Sequence, residues 1–163
     1  MIKESKLFQV SPLTRKVSAY IAEARSTALP PGIVERAKLH LVDTVAAIMS
    51  GTRLLPGRRA LAYVKPLGGP REAGVIGTKL VLPVLQAALA NGMCGHADET
   101  DDTHPPSQTH PGTSVVPAAL AIGERNHLSG RAVLRAVVLG YDVCARMMLT
   151  LRPQPFKIGR AHV

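Results

Sequence analysis

The chain has 163 residues, 46% of them hydrophobic, which is enough for one domain with a real core and too few for two ordinary ones. No run of eighteen or more apolar residues occurs, so no membrane span is expected, and the polar start Met1-Ile2-Lys3-Glu4-Ser5-Lys6 makes cytoplasm the default compartment. The net charge of +9 is scattered, with only three Tyr and two Phe to stack on bases, so no nucleic-acid partner is expected, while small carboxylates would suit it.

The pattern in chain order is helix after helix, broken by proline and glycine. Residues 12–26 read as a first helix with Val17, Tyr20, Ile21 and Ala24 on one face. Pro30-Pro31-Gly32 breaks it and opens a second. There Val34, Ala37, Leu41, Val45 and Ile48 recur at helical spacing, and Gly51 is expected to end the helix in a left-handed conformation. These apolar stripes are expected to be core packing. A shorter helix follows over 58–64, ending near Pro66-Leu67-Gly68-Gly69-Pro70. Residues 73–77 are too short and glycine-rich for a helix and are expected as a lone extended segment. Pro83 suits the first residue of the next helix. Residues 114–124 and 130–150 are again helical, the latter with Leu134, Val137, Tyr141, Cys144 and Met148 on one stripe. No internal repeat or strand alternation is present, so the expected class is all-α. Cys94 and Cys144 lie in no metal-binding spacing and are expected to be reduced residues on helix faces.

Chemistry is concentrated at residues 96–112. That stretch holds three of the six histidines, four of the eleven acidic residues and no Lys or Arg. Three readings fit the composition: a polar loop without chemistry, a His/Asp metal site, and metal-free acid–base chemistry. The compact metal motif of two histidines one helical turn apart with a glutamate between is absent.

The order of landmarks resembles the MmgE/PrpD family. Ala87-Ala88-Leu89-Ala90-Asn91-Gly92 is followed by His96-Ala97, then Asp101-Asp102-Thr103, then His110-Pro111-Gly112. Lys38, Asp43 and Gly51 match an early family helix, Val75-Ile76-Gly77-Thr78 a short segment, and Gly130, Leu134, Ala136, Gly140-Tyr141-Asp142 and Arg146 a later helix. The resemblance runs from about residue 11 to residue 156. It implies the N-terminal part of a large helical domain, truncated before a smaller α+β domain, usually in a homodimer, with no iron–sulfur cluster and no other cofactor. It also implies lyase or isomerase chemistry on small di- and tricarboxylic acids, as in 2-methylcitrate dehydratase, cis-aconitate decarboxylase and iminodisuccinate epimerase.

Carried over by position, Glu99 stands at an active-site aspartate of the family, Thr103 at an active-site threonine and His110 at an active-site histidine. The resemblance thus assigns proton transfer to His110 with Glu99 orienting it or sharing the proton. Thr103 and His110 are expected to bind substrate, and His96, Asp101 and Asp102 to give structural support, with no metal. The Thr103–His110 interval is one residue longer than in the decarboxylase branch, which favours a 2-methylcitrate dehydratase-like activity. A non-catalytic helical interaction domain and a metal-dependent hydrolase are the alternatives.

Residues 1–157 are expected to form the partial helical domain, inactive without the family's later catalytic residues. Ile158-Gly159-Arg160-Ala161-His162-Val163 is the translation of ATCGGAAGAGCACACGTC, a common sequencing-adapter string, so 158–163 is expected to be read-through and His162 not catalytic.

Overall fold

The computed structural model describes residues 10–150; the expectation for residues 158–163 lies outside them. The order is α1 (Pro12–Ala24), α2 (Pro31–Gly51), α3 (Leu55–Val64), a 3₁₀ turn (Lys65–Leu67), β1 (Ala73–Gly74), β2 (Val81–Leu82), α4 (Val84–Gly95), α5 (Gly112–Arg125) and α6 (Gly130–Thr150). The described chain is all-α apart from one small hairpin.

Prolines set the helix starts because each has its φ preset and offers no N–H to leave unpaired. Pro12 and Pro31 open α1 and α2, and Pro83 caps α4 from just outside it. At α1, the Ser11 hydroxyl also accepts the Thr14 N–H at 3.1 Å.

Helix α4 is the centre of the packing and lies against α2, α3 and α5, while α5 also packs on α6. The core is built from small side chains. Val64, Ala73, Val75, Leu82, Val84, Ala87, Ala90 and Ala121 form one buried cluster. Small residues let backbones approach closely, and Gly51 is the extreme case. A Cβ there would lie 1.8 Å from the Cys94 carbonyl oxygen of α4. Gly51 therefore does not end α2 in a left-handed conformation as its sequence position implies. The helix passes into Thr52 at φ −58, and the glycine serves the α2–α4 contact instead.

Two further expectations are corrected. The 73–77 segment is not alone, because Ala73 pairs with Leu82 and Gly74 with Val81 in an antiparallel hairpin. So short a hairpin is marginal by itself. Helical side chains hold it: Asn91, 1% exposed, accepts the Ile76 N–H at 2.9 Å and donates to the Gly74 carbonyl at 3.0 Å, and Glu124 accepts the Gly74 N–H at 2.5 Å. The apolar stripe of α1 is not core either, since no residue of α1 is buried. It lies on α6 through Tyr20, which donates to Asp142 at 2.6 Å and lies under the Arg146 guanidinium at 5.5 Å. In α2 the buried residues are Ala37, Thr44, Ala47, Ile48 and Gly51, so the stripe includes a hydroxyl.

No helix among the described residues is long and apolar enough to cross a membrane.

Candidate active site

The segment between α4 and α5 carries the site. His96 caps the C-terminus of α4, its N–H turned back to the Gly92 carbonyl at 3.2 Å. Asp98 then folds the chain locally. It accepts from the Ser50 hydroxyl at 2.6 Å and from the Thr100 hydroxyl at 2.8 Å, and these bonds, Ser50 first, hold its carboxyl below the usual carboxylate range. Glu99 follows at φ 57, exposed and in the left-handed region.

Asp101 is buried, with its side chain only 1% exposed. Its carboxylate lies 3.1 Å from His96 Nδ1 and 3.3 Å from His110 Nδ1. The two imidazoles thus share one carboxylate, their centroids 5.7 Å apart. Thr103 Oγ1 lies 3.4 Å from the same His110 Nδ1. With the Asp101 carboxylate beside Nδ1, the tautomer protonated there would leave Nε2 of His110 as the basic nitrogen.

Residues 104–109 form a loop closed on itself. The His104 N–H donates to the Thr109 carbonyl at 2.8 Å, and buried Ser107 lies 2.6 Å from His104 Nδ1 and 2.7 Å from Thr109 Oγ1. This closure returns the chain so that Thr103 and His110 meet despite the seven-residue interval.

Asp102, adjacent to Asp101, belongs to a second cluster. Its Oδ1 accepts the Gly112 N–H at 2.9 Å at the start of α5, and its Oδ2 accepts from the Tyr141 hydroxyl at 2.6 Å. His40 Nδ1 of α2 lies 3.2 Å from that Oδ2, and the His40 and Tyr141 rings are 5.1 Å apart. Burial, then the hydrogen bond to Asp102, pushes the Tyr141 hydroxyl well above its ordinary pKa, so it remains a donor.

The structure therefore brings His96, Asp101, Thr103 and His110 together and places Asp102 against the same segment from behind. The carboxylate it sets against His110 is that of Asp101, whereas the sequence reading gave the orienting role to Glu99. Sequence reasoning missed His40 and Tyr141, which meet Asp102, and Thr44, whose hydroxyl donates to the His40 carbonyl at 2.9 Å. Tyr141 stood out only as a member of the 130–150 helix stripe and of Gly140-Tyr141-Asp142. His40 and Thr44, one turn apart near Ala37 and Ile48, were polar residues on an apolar stripe, which is a usable signal for a buried polar site. Among the described residues no group of three or more His, Cys, Asp or Glu side chains is arranged to hold a metal ion.

Comparison with known proteins adds two findings. Residues 15–162 match the family model described as the MmgE/PrpD N-terminal domain. The chain is also similar to the cis-aconitate decarboxylase of Aspergillus terreus, 26% identical over 137 residues, covering 81% of this chain and 28% of that protein. Cis-aconitate decarboxylase of Mus musculus is 28% identical over 141 residues (83% and 29% covered), and that of Homo sapiens 31% over 121 residues (71% and 25%). The chain spans less than a third of the length of each of these relatives.

Proposed function

This chain belongs to the MmgE/PrpD family, an enzyme family that includes dehydratases and decarboxylases, and we propose that the protein carrying it is a metal-independent lyase for small di- or tricarboxylic acids. The observation that carries the reading is the grouping of Asp101, His110 and Thr103. In dehydration, Nε2 of His110 takes the proton from the carbon next to a substrate carboxylate. The electron pair forms the new double bond, and hydroxide leaves as water with a proton from an acid. Asp101, 3.3 Å from Nδ1, stabilises the imidazolium that develops. Thr103 offers its hydroxyl to a substrate carboxylate beside the same imidazole.

Dehydration of 2-methylcitrate is the primary reading. Decarboxylation of cis-aconitate is the second, favoured by what the three relatives are named for. The Thr103–His110 interval argues little against it, because the two side chains lie 3.4 Å apart across the closed 104–109 loop. Both reactions need a proton moved at carbon beside a carboxylate, which the His110 grouping supplies.

The test offers the protein carrying this segment 2-methylcitrate and cis-aconitate separately, in chelator. Conjugated alkene formed from the first supports the dehydratase, and carbon dioxide released from the second supports the decarboxylase. Turnover of neither, or turnover lost to chelator and restored by a metal, overturns the reading.

A further inference from the structure

We propose that Tyr141 and His40 are positioning residues for His110 and Thr103, acting through the Asp102 carboxylate; the inference rests on the lyase reading above. Asp102 stands directly before Thr103, and Gly112, whose N–H it holds at 2.9 Å, stands two residues after His110. One carboxylate therefore ties together both ends of the segment that carries the two site residues.

That carboxylate is itself fixed from two other helices. The Tyr141 hydroxyl of α6 donates to Oδ2 at 2.6 Å, and His40 Nδ1 of α2 approaches the same oxygen at 3.2 Å. The Asp102 side chain is only 9% exposed, so the Gly112 N–H and the Tyr141 hydroxyl, with the His40 imidazole beside Oδ2, surround that carboxylate in place of water. The fit is tight. A Cβ on Gly112 would lie 2.6 Å from Asp102 Oδ1, 2.6 Å from Thr44 Oγ1 and 2.9 Å from the Tyr141 hydroxyl. Three helices converge on an oxygen cluster that only glycine admits, directly behind the His110 loop. A rigid anchor of this kind maintains a near-attack arrangement without touching substrate.

The experiment uses the protein carrying this segment, with Tyr141→Phe, His40→Ala and His40→Asn. Tyr141→Phe and His40→Ala should lower kcat roughly 10- to 100-fold with KM nearly unchanged, as expected when reacting groups are displaced by about an ångström. His40→Asn retains an amide N–H near the position of Nδ1 and should recover most of the rate, which a purely structural loss would not predict. Wild-type kcat in Tyr141→Phe and His40→Ala, or no recovery in His40→Asn, overturns the proposal. If Tyr141→Phe does not fold, the His40 pair decides alone. If the wild type turns over neither acid, the lyase reading fails separately, and the positioning claim is read from the ¹⁵N-histidine NMR signals of His110. Displacement of those signals in the folded variants sustains it, and their identity with wild type overturns it.

Discussion

Replacing Gly51 with alanine should test whether α2 and α4 are held together by backbone proximity. An unstrained carbon–oxygen contact is about 3.3 Å or more. The added Cβ would start 1.8 Å from the Cys94 carbonyl oxygen and 2.7 Å from its carbon. The two helices must therefore part by about 1.5 Å, because backbone, unlike the end of a flexible side chain, cannot turn aside. Overpacking a yielding core typically costs about 1–3 kcal/mol, and a backbone clash belongs at or above the top of that range. Alanine returns about 0.5–1 kcal/mol through its better helical propensity. The net loss should be about 2–3 kcal/mol, or a fall in Tm of roughly 5–10 °C for a domain of this size. Gly32→Ala is the control. Nothing lies within 4 Å of its Cβ position in the first turn of α2, so it should stabilise by about 0.4–1 kcal/mol. Thermal unfolding of the 163-residue chain, followed by circular dichroism, reads both. A Tm for Gly51→Ala equal to or above wild type would refute the close-approach account.

At the site, His110→Ala should cost about 10²–10⁴-fold in turnover, and Thr103→Val should weaken kcat/KM by about 1–3 kcal/mol, both measured by steady-state kinetics. Ser50→Ala removes the largest cause of the low Asp98 pKa, so that pKa should rise in a carboxyl NMR titration. A carboxyl depressed by folding contributes stability above its unfolded pKa and loses it as pH falls through its folded pKa, so the acid-unfolding midpoint should move to higher pH in the variant. Cys94 is fully buried, and burial pushes its thiol pKa up, so a thiol reagent should modify it only as the chain unfolds.

What the sequence disclosed was local. Pro12, Pro31 and Pro83 marked helix starts because proline carries its own φ and its own missing donor. The polar run at 96–112 was visible because four carboxylates without a single Lys or Arg are conspicuous in a chain of +9. What it withheld depends on which groups lie opposite. Gly51 has the same side chain whether it turns a helix or admits a carbonyl, and only the position of Cys94 decides. The same holds for Asp101 and Glu99: burial beneath two imidazoles, not order in the chain, sets a carboxylate against His110. The hairpin escaped because two-residue strands are too short for alternation, and its anchors, Asn91 and Glu124, lie on α4 and α5. Tyr141 and His40 are distant in the chain from Asp102, and no local pattern links them.

The self-closed loop at 104–109 has a consequence for amide exchange. Its ends and interior are held by polar contacts, with Gln108 in the left-handed region at φ 52 and Pro105 and Pro106 exposed, whereas α4 has Ala87, Ala90 and Cys94 with no solvent exposure. The opening free energy of a segment follows the apolar surface it buries and the shielding of its hydrogen bonds. The His104 amide should thus exchange with deuterium through a small local fluctuation, well before those of α4, which wait for a larger unit to unfold, and before the Gly112 amide held by Asp102. Opening confined to this loop would break the His104–Thr109 bond while the Asp102–Gly112 tie and every helix stayed intact. A brief excursion of this loop therefore leaves the scaffold folded and the anchored ends that carry Thr103 and His110 in place.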